Sequence, residues 1–405
     1  MANYIFEQMT DAQAAAYDPS ADALFFLTGD PSTVQVTVNP ASGLNLASLT
    51  LTNSGVTHTF GADALGGETL TFFGESSSDT LAFGHDSTAD TVTVAGAVDA
   101  GARYYALGGD DDITGSVASD TIYGGVGDDT IDGHSSTNTE ADYLNGGAGN
   151  DVIDGGSGND HIWGNELTTT AGSVDGDDVI TAGAGKDYVQ GNAGDDVISG
   201  GGDNDRLYGG ADNDTITGDD GNDWLQGNKG TDSLDGGNGN DTIHGGADND
   251  VLLGNVGDDQ LFGDLGNDTL TGGAGFDTLT GGDGADSFVF GATDSLTTNV
   301  TTAATAANHD VVDVIWDFTH GTDHLTLAGT AGGAVSSSAT NFASLQDAMT
   351  FAQTYITAHH NGVEALQVGT DTALFWSGDA SGTVNSVVLL HGVTASTITN
   401  ADFVF

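Results

Sequence analysis

Between Ala182 and Val289 the apolar positions of the chain recur at a fixed interval. Cut into nonapeptides from Ala182, these residues give twelve units without a gap. The eighth position of every unit is apolar: Val189, Ile198, Leu207, Ile216, Leu225, Leu234, Ile243, Leu252, Leu261, Leu270, Leu279 and Phe288. Two residues before it stands an aspartate each time: Asp187, Asp196, Asp205, Asp214, Asp223, Asp232, Asp241, Asp250, Asp259, Asp268, Asp277 and Asp286. The first five positions are mostly Gly, Asn, Asp and Ala. Such a unit predicts a strand of about three residues with one inward side chain, followed by a tight glycine turn.

The same frame extends toward the N-terminus through units starting at Ala106, Gly115, Gly124, Gly133, Gly146, Gly155 and Gly164, which supply Asp111, Asp120, Asp129, Asp142, Asp151, Asp160 and Asp178. Two units carry insertions, of about four residues within "GHSSTNTEADYLN" and about nine within "GNELTTTAGSVDGDDVIT". Each falls before the Asp-x-aliphatic step, so each should bud from a turn as a loop. Further upstream, "GESSSDTLA" and "STADTVTVAG" read as degraded copies that keep Asp79 and Asp90 without the glycines.

A three-residue strand buries nothing alone. Stacked units bury a continuous aliphatic column, with neighbouring strands about 4.8 Å apart. Two nonapeptides per coil make the twelve units a stack roughly 30 Å long at that spacing. The stack also sets aspartates one above another, which like-charge repulsion opposes.

Composition sharpens that conflict. The chain has 60 acidic and 4 basic residues, a formal net charge of -56, with 37% hydrophobic residues. Only six acids are glutamates (Glu7, Glu68, Glu75, Glu140, Glu166, Glu364), which leaves 54 aspartates. The short carboxylate suits tight turns and hard cations, and calcium takes six to eight oxygens of the kind that such turns present. If the aspartates only satisfied turn backbones, asparagine or serine would serve at position six and should appear there. Neither does.

At "GGNGNDTIH" (236–244), "GGAGNDVID" (146–154) and "GGVGDDTID" (124–132) the chain resembles the RTX family of calcium-binding nonapeptides throughout the motif. The resemblance implies a parallel β-roll in which Ca2+ ions sit between stacked turns. Position-six carboxylates and turn carbonyls would hold them. The candidate metal ligands are then Asp111, Asp129, Asp151, Asp160 and Asp178, with the twelve aspartates from Asp187 to Asp286. Asp120 is left out because "GSVASDTIY" lacks most of its glycines, and Asp142 is not among them. Asp203, Asp212 and Asp248 stand where the motif has its second-turn glycine, which Asp tolerates because it reaches left-handed geometry more readily than most residues.

The flanks divide into residues 1–64, a small β domain for assembly or anchoring; 65–105, degenerate solenoid rungs; and 290–405, a cap following the 106–289 roll. The first is expected to hold strands in "ALFFLTG", "TVQVTVNP" and "LASLTLT" after a short helix around "DAQAAAY". The cap is expected to be β-rich, with strands in "DVVDVIWDF", "DHLTLAG", "ALFWSG" and "SVVLLHGV", and one helix over 341–360 that aligns Leu345, Met349, Ala352 and Ile356. The fold class is thus all-β: a β-solenoid with a small β domain before it and a one-helix cap behind. The closing "DFVF" resembles the terminus of type I secretion substrates, which would account for a start, "MANYIFEQMT", with no secretory-signal pattern.

Other chemistry is scarce. No His-Glu-x-x-His or Gly-x-Ser-x-Gly sequence exists, and no cysteine, so zinc-protease, lipase and thiolate sites lack their first requirement. Four cations argue against nucleic acid as a partner, and no apolar run is long enough for direct membrane insertion. His309, His320 and His324 cluster in sequence, but within a stretch that matches the cap. Threonine is absent from position three of the twelve units, against an ice-binding turn face. The expectation is a secreted, extracellular or cell-surface, non-enzymatic building block of a surface layer, filament or matrix. It would self-associate with calcium and use the type I secretion machinery as an export partner. The alternatives are an enzyme or an adhesin with its site in residues 1–105.

Overall fold

The nonapeptide register becomes a strand register in the computed structural model, which describes residues 102–134, 140–165, 176–291, 312–327, 335–359, 362–377, 384 and 386–404, and eight short strands between Asn3 and Thr93. The fold is an all-β parallel β-solenoid, with a single α-helix among the described residues. The chain divides into two units, Met1–Gly200 and Gly201–Phe405.

In the first unit, Ala102–Gly108, Thr121–Val126, Tyr143–Ala148, His161–Trp163 and Tyr188–Ala193 pair in parallel as one layer. Thr91–Thr93, Asp112–Thr114, Thr130–Asp132, Val152–Asp154 and Val179–Ala184 form the other. Successive strands alternate between layers, so a coil is two nonapeptides and Ile113 lies beside Ile131. Past the insertions the step lengthens: Thr121 pairs with Tyr143 and Val152 with Val179. Those steps are 22 and 27 residues, or eighteen plus four and eighteen plus nine, so both insertions leave the register intact. Their residues 135–139 and 166–175 lie outside the described residues.

The strands from the degraded copies, Thr80–Phe83 and Thr91–Thr93, pair in parallel with Ala102–Tyr105 and Asp112–Thr114, although Asp79 and Asp90 themselves lie outside the described residues. The three N-terminal strand expectations match Ala23–Phe26, Gln35–Asn39 and Ser48–Asn53, the last two being antiparallel neighbours. The helix expected around "DAQAAAY" lies outside the described residues.

In the second unit, Arg206–Ala211, Trp224–Lys229, Thr242–Ala247, Gln260–Leu265 and Thr278–Thr280 form one layer. Thr215–Asp220, Ser233–Asn238, Val251–Val256, Thr269–Ala274 and Ser287–Phe290 form the other. Between the layers run two columns, Leu207, Leu225, Ile243, Leu261, Leu279 and Ile216, Leu234, Leu252, Leu270, Phe288, all at 0% exposure. Burial of each such side chain contributes about 1.5–3 kcal/mol.

Repeat strands run mostly to six residues, not three. Trp224–Lys229 continues through Gly227 and Asn228 because the start of the next turn is still extended and still pairs with the following coil. This brings the first glycine of each turn inward, beside the aliphatic column. Asp203, Asp212 and Asp248 take φ of 73°, 78° and 80°, the left-handed geometry expected of them.

Two further rungs close the roll. Asp313–Ile315 pairs with Thr278–Thr280, and His324–Leu327 with Ser287–Phe290. Behind the first, Ser386–Leu390 continues in parallel and joins antiparallel Asp371–Trp376 and then Val363–Val368. Helix Leu345–His359 buries Leu345, Ala348, Ala352 and Ile356 on this sheet, with Met349 at the margin. Two strands escaped sequence reasoning: Val335–Phe342, which is Ser- and Thr-rich, and Val363–Val368. The helix therefore starts later than expected. Asn341 and Phe342 belong to the strand, and the Ser344 hydroxyl accepts the Asp347 N–H at 3.2 Å to cap the first turn. No helix among the described residues is long and apolar enough to cross a membrane.

Candidate metal centre

Each position-six aspartate sits at the end of a glycine turn, one residue before a strand, and its side chain turns inward. Within the second unit the N–H of Asp205 donates to Oδ1 of Asp223, that of Asp223 to Asp241, and that of Asp241 to Asp259, each at 2.8 Å. Asp259 donates onward to Asp277 at 2.9 Å and Asp277 to Asp313 at 3.1 Å. A second string links Asp214, Asp232, Asp250, Asp268, Asp286 and Asp323 in the same way. The first unit holds two strings, Asp111–Asp129–Asp151–Asp178–Asp196 and Asp120–Asp142–Asp160–Asp187. All the aspartates singled out from the sequence therefore fall on these strings, buried at 3% exposure or less.

The hydrogen bond uses one oxygen. In Asp129, Asp151, Asp160, Asp223, Asp232, Asp241, Asp250, Asp259 and Asp268, Oδ2 is buried and accepts nothing. The position-one glycine shows what it faces. A Cβ built on Gly263 would lie 2.4 Å from Oδ2 of Asp268 and 2.4 Å from the carbonyl oxygen of Gly281, and one on Gly254 would lie 2.4 Å from Asp259 Oδ2 and 2.5 Å from Gly272 O. Two acceptors from successive coils thus converge on one place.

Position five makes the contrast. There Asn240 accepts the N–H of Asp258 through Oδ1 at 3.0 Å, and Asp258 accepts that of Phe276 at 3.0 Å, so bonds run in the opposite direction along the stack. Asn and Asp both serve at this exposed position because the backbone bond along the stack needs only Oδ1. At position six an asparagine would satisfy the same backbone bond and point an amide donor at the facing carbonyl, yet the residue is always Asp. The requirement is for a second anionic oxygen among acceptors, which is what a hard cation needs.

Without a cation, burial shifts these carboxylates toward the protonated form. Burial pushes Asp151 up to about 9, against the bond from the Asp129 N–H and with help from Asp178 and Asp129. Burial likewise raises Asp129, Asp223, Asp250 and Asp259 to about 7. Among the described residues no three His, Cys, Asp or Glu side chains form a metal-sized cluster, so an ion here must draw on backbone carbonyls as well.

Sequence reasoning passed over four residues. Asp142 occupies a string position like any other, and burial raises it to about 8. Asp313 and Asp323 extend the strings into the cap, 36 and 37 residues beyond their donors, outside the nine-residue frame. Their signal was the surviving Asp-x-aliphatic step in "DVI" and "DHL". Asp120 is on a string too, but its Oδ2 accepts the N–H of Ser116 and its Oδ1 the Ser116 hydroxyl. Its carboxylate is satisfied by protein. Asp323 is similar, its Oδ2 accepting the Thr319 N–H at 2.7 Å. Of the clustered histidines, His320 contacts Asp402 at 2.7 Å, His324 lies in a rung strand, and His309 lies outside the described residues.

Residues 105–166 and 173–294 match the family described as the RTX calcium-binding nonapeptide repeat. No curated protein sequence matches the chain. Among solved structures, the R3 and R2 subunits of the mannuronan C5-epimerase AlgE6 from Azotobacter vinelandii are 26% and 27% identical, covering 42% and 41% of this chain and 80% and 88% of theirs, with TM-scores of 0.28 and 0.27. A hyperactive, Ca2+-dependent, β-helical antifreeze protein from an Antarctic bacterium is 18% identical over 71% of this chain and 94% of its own, at a TM-score of 0.30. Scores this low establish no common overall arrangement.

Proposed function

Because residues 105–294 are RTX calcium-binding nonapeptide repeats, we propose that the protein is a secreted β-roll that folds on binding Ca2+ outside the cell and acts, without catalysis, as a building block of an extracellular surface layer, filament or matrix. The observation that carries the reading is the column of buried Oδ2 atoms without a donor. The ligands would be the position-six aspartates from Asp111 to Asp286, other than Asp120, together with turn carbonyls, and bound calcium supplies the positive charge that lets them stack ionised. Calcium binds the folded roll and not the open chain, so it drives folding by mass action. In a cytoplasm poor in calcium the charged repeats stay open, which suits export through a type I machinery.

The building-block role rests on how much of the chain the roll and its cap occupy, and on a sequence without a recognisable catalytic motif. Negative-stain electron microscopy of the full chain, from excess chelator to millimolar calcium, tests it. Ordered sheets or filaments that form with calcium and dissolve in chelator support the proposal. Monomers at every calcium level overturn it.

A further inference from the structure

The two layers of the roll differ in a way that the aspartate strings do not explain. In the first unit the residues on either side of each buried aliphatic lie off the core column, Tyr105 and Asn145 covered at 5% exposure and the others partly or fully exposed. Across Arg103–Tyr105, Thr121–Tyr123, Tyr143–Asn145, His161–Trp163 and Tyr188–Gln190, none of them is Asp or Glu. Across the opposite layer, Asp112–Thr114, Thr130–Asp132, Val152–Asp154 and Val179–Thr181, they include Asp112, Asp132 and Asp154 and no aromatic residue. A chain with 60 acidic residues keeps one strip clear of them.

The strip carries rings instead. Tyr105 stacks on Tyr123 with centroids 4.7 Å apart, Tyr123 meets Tyr143 at 5.6 Å, Tyr143 meets Trp163 at 4.5 Å, and Trp163 meets Tyr188 at 5.9 Å. The second unit has a ring-bearing layer of its own, with Trp224 on His244 at 5.0 Å and His244 on Phe262 at 4.5 Å. Trp224 is 37% exposed. Cross-strand ring pairs stabilise any sheet, but the opposite layer pairs equally well through Thr and Val. Packing alone gives no reason to confine the rings to one side.

We propose that the ring-bearing strip of each unit binds an uncharged polysaccharide chain. Its shape selects a linear ligand. The outward side chains of one strand are about 7 Å apart, and the four rungs from Tyr123 to Tyr188 extend about 14 Å at the usual strand spacing. The strip is far smaller than the roughly 800 Å² per partner of a stable protein interface. Its chemistry selects sugar: rings for the apolar faces of pyranoses, and the amide of Gln190 and the imidazole of His161 for hydroxyls. Its surroundings select an uncharged polymer, because the aspartate-rich turns on either side repel polyanions. The stacked rings hold one another in place, so little side-chain freedom is lost on binding. The inference holds whether or not copies of the chain assemble.

The test is affinity electrophoresis of the full-length, calcium-loaded protein in gels containing hydroxyethylcellulose, soluble xylan or galactomannan, with polygalacturonate as the anionic control. The expected result is retardation by at least one neutral polymer and none by polygalacturonate. Trp163→Thr and Trp224→Thr should each weaken retardation about five- to tenfold, while Val197→Thr on the opposite layer leaves it unchanged and circular dichroism shows all three folded. Absence of retardation by every neutral polymer overturns the proposal. So does undiminished binding by the double tryptophan variant, or a dimer in sedimentation that the tryptophan variants abolish, which would make the strip a protein contact.

Discussion

The backbone N–H of Asp223 donates to Oδ1 of Asp241, one coil further on, at 2.8 Å, while Oδ2 of the same Asp241 is buried and accepts nothing. One carboxylate is thus divided between two tasks. Its first oxygen ties adjacent coils together, and its second joins the carbonyls of the turns as a cation ligand.

Asp241→Asn keeps an Oδ1 for the Asp223 N–H and replaces the second oxygen with an amide. Folding should persist but require more calcium, with the midpoint of a circular dichroism titration raised several-fold. Asn240→Asp, one residue earlier, keeps the only oxygen that position five uses and should leave the midpoint within about twofold. Equal shifts for the two variants would show that the second oxygen is not special.

Calcium-free folding should depend on pH in the direction opposite to acid denaturation. Burial raises Asp129, Asp223 and Asp259 from 3.8 to about 7 in the folded roll, and Asp151 to about 9. Folded pKa values above the unfolded ones mean that the folded state binds more protons between them. The stability from protonation is therefore full below about pH 4 and disappears as pH rises through 6 to 9. In chelator, β signal should appear on acidification toward pH 4–5 and vanish at pH 9, whereas with millimolar calcium it should persist across that range.

Gly239→Ala should damage the roll beyond what calcium can restore at millimolar levels. Gly239 has φ of 129°, and a Cβ there would lie 1.4 Å from the carbonyl oxygen of Gly221 in the preceding coil. Backbone strain of this kind costs about 1–3 kcal/mol before the collision is counted. Asp203→Gly, at a position whose φ of 73° suits both residues, should change the calcium midpoint little. Thermal melts at fixed calcium compare the two.

Asp317→Ala should loosen the end of the roll. The two Asp317 oxygens accept the N–H groups of Gly281 at 2.9 Å and Gly282 at 2.8 Å, donors that the next coil would otherwise satisfy. Their loss costs about 1–3 kcal/mol each where water cannot replace the carboxylate. Hydrogen exchange at Gly281 and Gly282 should accelerate, with little change at Ile216 or Leu234.

Much of this was legible in the residues. The eighth-position aliphatics and sixth-position aspartates specify a solenoid because a period of nine repeats without error from Ala182 to Val289, and even the insertions keep count, as the 22- and 27-residue steps show. Asp313 and Asp323 were hidden because they follow longer connections and lack glycine turns. The position-five bonds were hidden because Asn or Asp in a turn has many local uses. The ring-bearing strip was missed for a different reason. It appears only when every second unit is compared, since Tyr105 and Tyr123 share a layer from which Ile113 and its neighbours are absent. The strand Val335–Phe342 carries too few aliphatics to be distinguished from a loop.

The most direct test of the central claim is far-UV circular dichroism of the full-length chain at pH 7.5 as calcium is raised from excess chelator. A largely unfolded spectrum is expected in chelator, with a cooperative gain of β signal as calcium binds, reversed when chelator is restored. An unchanged β spectrum at every calcium level would contradict it.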